Sequence, residues 1–212
     1  MSGLAPAAGP VGFVGLGNMG RRMAANLAAA GFALVVRDSD DGAQQRFIAG
    51  HGGEPATSPA SFAQVRPVLE TLGERIFRTG PLGSGHAMKA LNNFLGASAY
   101  TTAAEALAIG KEFGLDPAVM LDVVNSSTGR SFNTEVVLKQ DVITGRYGTG
   151  FALGLLAKDV GIAAGLADAM GVDAPACQLV RDRWAQAAAA LGFAADHSEA
   201  HKQWWPIDLA AD

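Results

Sequence analysis

A lysine and an asparagine four residues apart are the side chains of this sequence best placed to do chemistry. Lys89 and Asn93 lie in a nearly uncharged segment rich in helix-forming residues. On a helix this spacing brings both side chains to one face, and Gly85 one turn earlier leaves room there for a ligand or another backbone. The pair indicates a ligand site. The alternative is a lysine whose stem covers apolar surface while its charge stays in water.

A short apolar run and a glycine-rich turn precede this segment. Val11–Val14 predicts a strand, and a helical pattern starts after the turn, whose residues are Gly15, Leu16, Gly17, Asn18, Met19 and Gly20. In a G-x-G-x-x-G turn the three glycines allow a tight turn, close approach of a pyrophosphate, and close packing of helix on strand. The phosphates then bind the free amides at the helix N-terminus. We therefore predict a dinucleotide-binding turn.

An acidic residue, Asp38, follows the second predicted strand, Ala33–Val36, eighteen residues after Gly20. A carboxylate there accepts hydrogen bonds from the ribose hydroxyls of NAD and repels a 2′-phosphate. We therefore predict NAD as cofactor. NADP stays open as the less favoured alternative, because Arg37 beside Asp38 could hold the additional phosphate. A helix and strand with an incidental acidic turn is the reading that requires no cofactor.

Composition predicts a well-buried globular protein. The 212 residues are 49% hydrophobic and 17% charged, and 16 basic against 20 acidic residues give a net charge of −4 without a basic cluster, so we expect no nucleic-acid partner.

The single cysteine, Cys177, predicts a core thiol and suits the cytoplasm, where we expect the protein. The central uncharged run is too short to cross a bilayer, so we expect no membrane role. His197 and His201 lack a third ligand at a recognised spacing, so we predict no metal site.

Three stretches of the sequence resemble the 3-hydroxyisobutyrate dehydrogenase family of β-hydroxyacid dehydrogenases, which is related to 6-phosphogluconate dehydrogenase. They are Phe13–Gly20 with Met23, Ala24, Asn26 and Leu27; the segment Gly83–Asn93; and the pair Lys158-Asp159. The resemblance implies that Lys89 is the catalytic lysine and that Asn93 helps to hold the substrate. It also implies that Lys158 lies near cofactor and substrate.

The reaction that this resemblance implies is reversible hydride transfer between a small 3-hydroxy acid and a nicotinamide, with Lys89 exchanging a proton with the substrate hydroxyl. A free lysine has a pKa of about 10.4, so burial or a cation such as Lys158 must lower it before Lys89 acts as a base near neutrality. In the reduction direction the ammonium donates directly. Two alternatives stay open: a catalytically silent NAD-binding or dimerisation module, and an NADPH-dependent reductase of keto acids or imines.

The predicted nucleotide-binding domain is short for its class. Residues 11 to 80 number 70, whereas two βαβαβ halves need on the order of 150 residues. The break falls near residues 64–65, between a weak third strand at 52–57 and a stretch at 66–73 that resembles the family's last helix before the domain boundary. No serine-glycine-glycine substrate loop follows. The alternatives are a lost internal segment, a stretch omitted from the printed sequence, and a shortened domain that still folds.

We therefore predict a truncated α/β Rossmann-like domain at 1–82 and an all-helical substrate and dimerisation domain at 83–212, built on a long interdomain helix. Residues 76–79 predict a final strand of the first domain. Helices are predicted at 86–113, 117–124, 153–170, 175–191 and 197–205. An alanine-rich apolar surface of this kind is often buried against a second copy, so we expect a homodimer or homotetramer.

Overall fold

The computed structural model describes residues 10–16, 20–38, 40–55, 76–77, 79–80, 83–205 and 208–210. The chain divides into two compact units, Met1–Arg78 and Thr79–Asp212. Within these described ranges no helix is long and apolar enough to cross a membrane.

Parallel strands and helices alternate in the first unit. The strands are β1 (Val11–Val14), β2 (Leu34–Arg37) and β3 (Glu54–Pro55), and the helices between them are α1 (Gly20–Ala29) and α2 (Asp41–His51). The strand order is β1-β2-β3, with Val11 opposite Leu34 and Val35 opposite Glu54. This βαβαβ arrangement is one half of a doubly wound fold, which confirms the predicted Rossmann-like class.

Apolar residues of both strands and both helices form the core of this unit. Leu34 and Val36 are two residues apart on β2, so their side chains point to the same face of the sheet, and both are buried. Ala24 and Leu27 bury the inner face of α1, and Phe47 does the same for α2. The turn after β1 and Asp38 after β2 therefore both follow strands whose side chains are packed in this core.

The predicted strand at 76–79 is wrong for the residues that the structure describes. Ile76, Phe77 and Thr79 are not in a strand, and Phe77 is 77% exposed. A strand requires a paired neighbour, and these residues have none within the described ranges. The break near 64–65 and the helix-like stretch at 66–73 lie outside the described residues.

The second unit is built on one long helix, α3 (Ser84–Phe113), of 30 residues. Its buried positions recur every three or four residues, which is the pattern of a helix that packs along one stripe; they include Ala90, Ala97, Tyr100, Thr101, Ala104, Leu107 and Ala108. Gly114 ends the helix with a φ of +96°, in the left-handed region that glycine adopts readily.

Shorter helices pack around α3. They are α4 (Pro117–Asn125), a π-helix (Asn133–Val142), α5 (Leu153–Met170), α6 (Pro175–Leu191), a 3₁₀ turn (His197–Glu199) and α7 (His201–Trp204). The side chain of Asp116 accepts the amides of Ala118 and Val119 and so caps α4, whose first residue is proline.

Aromatic residues with satisfied polar atoms fill the centre of this unit. Trp184 and Tyr100 are fully buried. The indole of Trp184 donates to Thr101 Oγ1 at 3.0 Å, and the Tyr100 hydroxyl donates to the Ser198 carbonyl at 2.6 Å. These bonds hold α6 and the C-terminal segment against α3 and pair the polar atoms of Trp184 and Tyr100. Cys177 is a buried free thiol, as predicted.

Candidate functional site

The glycine turn after β1 has backbone geometry that only glycine fits. Gly15 has a φ of +93°, in the left-handed region. A Cβ on Gly20 would lie 1.9 Å from the Gly15 carbonyl oxygen, so helix and turn approach more closely than any side chain allows. These are the roles predicted for the first and third glycines. Gly17, Asn18 and Met19 lie outside the described residues.

Asp38 lies directly beside this turn. Its carboxylate accepts the backbone N–H of Leu16 and, at 2.8 Å, that of Asp40. The Asp38 amide donates to Gln44 Oε1 at 3.1 Å, which fixes the backbone at the end of β2. An anchored carboxylate next to a glycine turn fits the ribose end of a dinucleotide, and its negative charge opposes a 2′-phosphate.

A buried carboxylate joins the two residues singled out on α3. The Lys89 ammonium forms an ion pair with Asp159 Oδ2, and Asn93 Nδ2 donates to the same oxygen at 2.7 Å. The Asp159 side chain is 5% exposed, whereas that of Lys89 is 54% exposed. The structure therefore brings Lys89 and Asn93 together on one helical face, with the lysine accessible and its partner buried.

The position of Asp159 on α5 explains its burial. Leu156, Val160 and Ala163 line the buried face of this helix, and Asp159 falls within the same stripe. A buried carboxylate requires a cation or hydrogen-bond donors, and here it has both. The chemical consequence is a proton-bearing ammonium held at one point next to a carboxamide that keeps an oxygen and a second N–H for a ligand.

Lys158, the other member of the predicted pair, lies elsewhere. It is exposed on α5, and no hydrogen bond or ion pair within the described ranges links it to Lys89 or Asn93. Adjacent helical residues point about 100° apart, so the residue that follows Lys158 faces inward while Lys158 faces outward.

Asp159 is the residue that sequence reasoning missed. A signal was present: Asp159 follows Leu156 by three residues and precedes Ala163 by four, so it sits at the spacing of a buried helical stripe. A charged residue at such a position needs a partner. The lysine nearest in sequence is Lys158, but the lysine that pairs with Asp159 is Lys89, 70 residues away.

The histidines His197 and His201 contact different hydroxyl groups. His197 Nδ1 lies 2.9 Å from Thr149 Oγ1, and His201 Nδ1 lies 3.0 Å from the Tyr100 hydroxyl. Burial lowers the pKa of both imidazoles, that of His201 to about 4. Among the described residues, no group of three or more metal-ligating side chains surrounds a common point.

Family profiles match most of the chain. Residues 83–204 match the profile described as the NAD-binding of NADP-dependent 3-hydroxyisobutyrate dehydrogenase, and residues 10–72 match the NAD-binding domain of 6-phosphogluconate dehydrogenase. The chain belongs to the 3-hydroxyisobutyrate dehydrogenase family. Both descriptions name a nicotinamide dinucleotide, the class of cofactor that the glycine turn and Asp38 predict.

Curated members of the 3-hydroxyisobutyrate dehydrogenase family share about a third of their aligned residues with this chain. A 3-hydroxyisobutyrate dehydrogenase of Pseudomonas aeruginosa is 34% identical over 171 residues, which cover 76% of this chain and 56% of that protein. A 2-(hydroxymethyl)glutarate dehydrogenase of Eubacterium barkeri is 37% identical over 106 residues, covering 50% and 35%. The chain therefore spans about half or less of the length of these relatives.

Solved structures of the 3-hydroxyisobutyrate dehydrogenase family share the fold. The enzyme of Mycobacterium tuberculosis, solved with L-serine, has a TM-score of 0.69 at 21% identity and covers 91% of this chain and 98% of that chain. The enzyme of Salmonella typhimurium has a TM-score of 0.62 at 24% identity, covering 81% and 69%. A nucleotide-binding α/β unit followed by a helical unit is thus the family architecture.

Proposed function

We propose that this chain is an NAD-dependent oxidoreductase that interconverts a small 3-hydroxy acid and its semialdehyde or keto form. The observation that carries the proposal is the cluster in which Asp159 holds both Lys89 and Asn93. The nicotinamide supplies the hydride in reduction and accepts it in oxidation. Its dinucleotide would be held by the turn that includes Gly15, Leu16 and Gly20, with Asp38 at the ribose.

Lys89 exchanges the proton that accompanies the hydride. In reduction the Lys89 ammonium donates a proton to the carbonyl oxygen as the hydroxyl forms, and in oxidation the neutral amine takes that proton back. Asp159 positions the ammonium, and the free polar atoms of Asn93 hydrogen-bond the substrate hydroxyl or carboxylate. We assign Lys158, exposed on the same helix as Asp159, a role in holding the anionic groups of cofactor or substrate.

Absorbance of NADH tests the reaction. The chain is incubated with NAD and a panel of small 3-hydroxy acids, and with NADH and the matching semialdehydes. Lys89→Met should lower kcat by about 10²- to 10⁴-fold, the contribution typical of a positioned acid–base group. Lys139→Met is the matched control, because Lys139 is also a half-exposed lysine paired with a carboxylate, that of Asp122, at 2.6 Å. Equal activity of both variants would remove Lys89 from the mechanism.

A second candidate is a catalytically silent NAD-binding or dimerisation module. The observation in its favour is the length of the chain, which covers 56% of the Pseudomonas aeruginosa relative, together with a described sheet of three strands. Substrate orientation provides much of the rate in such reactions, so a missing substrate loop would abolish turnover while leaving NAD binding. Tight NADH binding with no turnover of any substrate in either direction would favour this module.

Cofactor choice, assembly and location complete the proposal. An NADPH-dependent keto-acid or imine reductase is the remaining alternative, since one family description names NADP. A homodimer or homotetramer would cover exposed apolar side chains of the helical unit such as Ile109 and Phe113, which are 67% and 83% exposed. Sedimentation equilibrium measures the number of chains in the assembly directly. We place the protein in the cytoplasm, where a lone buried thiol such as Cys177 stays reduced.

A further inference from the structure

A cavity inside the helical unit is larger than a small hydroxy acid requires. Its volume is about 500 Å³, and it lies between α3, the π-helix and the segment 146–151. Ligand pockets span about 300 to 1,000 Å³. A four-carbon hydroxy acid has about seven heavy atoms and fills at most about two fifths of this space, if each heavy atom takes no more than the share of a liquid water molecule. The cavity therefore has room for an additional substituent.

Carboxamides are the most numerous kind of polar side chain in the lining of the cavity. Asn92, Asn93, Asn133 and Gln140 all contribute to its wall, beside apolar side chains such as Val136. Asn133 Nδ2 donates to the Gly96 carbonyl at 2.9 Å, which fixes the amide of this buried residue. Carboxamides both donate and accept, so they pair with hydroxyl and amide groups without favouring a charge.

The charged groups of the lining cancel. Asp141 is buried, and its carboxylate accepts Arg146 Nε at 2.7 Å and the Gly148 amide at 3.3 Å. His197, at the cavity floor, is the other titratable group of basic character; burial lowers its pKa, although the nearby Asp196 opposes the shift, so the ring is neutral at pH 7. Asp141 and Arg146 thus sum to zero, and the cavity favours an uncharged polar occupant over a second carboxylate.

The cavity begins beside the proposed reaction centre. Asn93 lines it, and the same side chain donates to Asp159, the partner of Lys89. One helical turn separates Lys89 from Asn93, about 6 Å along the axis. Because both side chains reach the same oxygen of Asp159, their polar ends lie closer together than this rise, and at about 1.2 Å per bond a tail of roughly four bonds leads from a carbon at Lys89 to this mouth.

We propose that this cavity is a substrate subsite for an uncharged, hydroxyl- or amide-bearing substituent of the 3-hydroxy acid. The proposal rests on the proposed function, because it takes Lys89 as the point where the reacting carbon lies. Asn92 and Gln140 at the exposed rim and Asn133 deeper in the wall provide the hydrogen bonds. The substrate class is accordingly a hydroxylated acid with a tail longer than that of 3-hydroxyisobutyrate.

Calorimetric titration with three acids tests the subsite without any turnover. Gluconate carries an uncharged hydroxylated tail beyond its 3-hydroxyl, 3-hydroxypropanoate carries no tail, and 3-hydroxyadipate carries a tail that ends in a carboxylate. We expect gluconate to bind at least about tenfold more tightly than either of the others, since a site built for hydroxyls penalises ligands that leave it unpaired. Each titration is repeated with NADH present.

A bulky substitution at the rim provides the internal control. Gln140→Trp fills the mouth and should remove the preference for gluconate while leaving the affinity for 3-hydroxypropanoate within about twofold. Gln186→Trp places the same side chain on α6 at another exposed glutamine, outside the cavity lining, and should keep the preference. Near-identical affinities for the three acids, tighter binding of 3-hydroxyadipate, no binding of any acid, or an unchanged preference in Gln140→Trp would each overturn the subsite.

The subsite and the proposed reaction fail in different ways. Turnover of a short hydroxy acid by the chain, without a preference for gluconate, would refute the subsite and leave the oxidoreductase standing. A preference for gluconate that Gln140→Trp abolishes, without turnover of any acid in either direction, would refute the oxidoreductase and keep a ligand-binding cavity.

Discussion

Asn93 donates a 2.7 Å hydrogen bond to the very carboxylate oxygen of Asp159 that receives the ammonium of Lys89. One atom on α5 therefore sets the position of two groups on α3. Substituting Asp159 should disturb proton transfer by Lys89 and substrate orientation by Asn93 together, although Asp159 has no direct contact with substrate in the proposed reaction. Asp159 is in this sense a positioning residue for the pair.

Asp159→Asn should reduce kcat by about tenfold or more and change KM much less, because the amide still fills the space but no longer pairs with the ammonium. Loss of the buried ion pair should also lower the free energy of unfolding by roughly 1 to 3 kcal/mol in urea titrations. Asp168→Asn is the control, since this exposed carboxylate of α5 accepts the side-chain amide of the half-buried Gln178 at 2.8 Å and pairs with no cation among the described residues. Equal effects of both substitutions would contradict the positioning role.

Asp38→Asn should shift cofactor preference towards NADPH. The substitution keeps an oxygen that can accept the Leu16 amide but removes the charge that opposes a 2′-phosphate. Fluorescence titration should show the ratio of the NADPH and NADH dissociation constants falling by about tenfold. Asp40→Asn, two residues away on the exposed side of the same turn, should leave the ratio unchanged. A ratio that responds equally to both changes would exclude Asp38 as the discriminating residue.

Gly20→Ala should weaken NADH binding by at least about tenfold and destabilise the first unit by roughly 1 to 3 kcal/mol, because the new methyl group meets the Gly15 carbonyl oxygen at 1.9 Å and the backbone must move. Gly50→Ala adds the same methyl group to α2 where no atom lies within 4 Å, and should be neutral or slightly stabilising. Wild-type affinity in Gly20→Ala would show that the turn does not bind the cofactor.

Acid should destabilise the helical unit through His201. Burial lowers the pKa of this histidine to about 4, below its usual 6.5, so the unfolded chain binds more protons between these values. The free energy of unfolding therefore falls as the pH drops from 6.5 to 4, by roughly 3 kcal/mol. The lowered pKa of His197 acts in the same direction.

Urea titrations across this pH range provide the measurement. His201→Gln should flatten the slope, whereas His51→Gln, a change at an exposed histidine of the first unit, should preserve it. A slope identical in His201→Gln and the unmodified chain would show that another group carries the acid sensitivity.

Local punctuation made much of the fold predictable. The bounds of α5 and α6 match the predicted ranges because Gly171 stops one helix and Pro175 starts the next. The π-helix at 133–142 was not predicted. Its backbone hydrogen bonds depend on packing against α3 and α4, and the spacing of apolar residues in the sequence does not indicate them. The strand predicted at 76–79 was wrong because β-propensity without a pairing partner does not make a strand.

The cluster around Lys89 was predictable only where its residues share a helix. The spacing of Lys89 and Asn93 placed both on one face of α3, as the structure finds. Their joint partner, Asp159, lies 66 residues beyond Asn93, and one sequence contains no information on which of several carboxylates will meet them. The cavity beside Asn93 likewise depends on the packing of three separate elements.

The N-terminal turn of α3 depends on its contacts with Asp159 to stay ordered. Gly83 precedes the helix with no side-chain cap, and Gly85, His86 and Met88 are exposed, so the first turn has little packing of its own. Among the described residues, the side chain of Ser84 bonds only to Thr79, five residues earlier, and the contacts to Asp159 are the first polar side-chain contacts that α3 makes to another helix. Backbone amides around Lys89 should therefore exchange with deuterium at a rate set by how often the contacts to Asp159 break, so local opening of the helix would also release the ammonium from its fixed position.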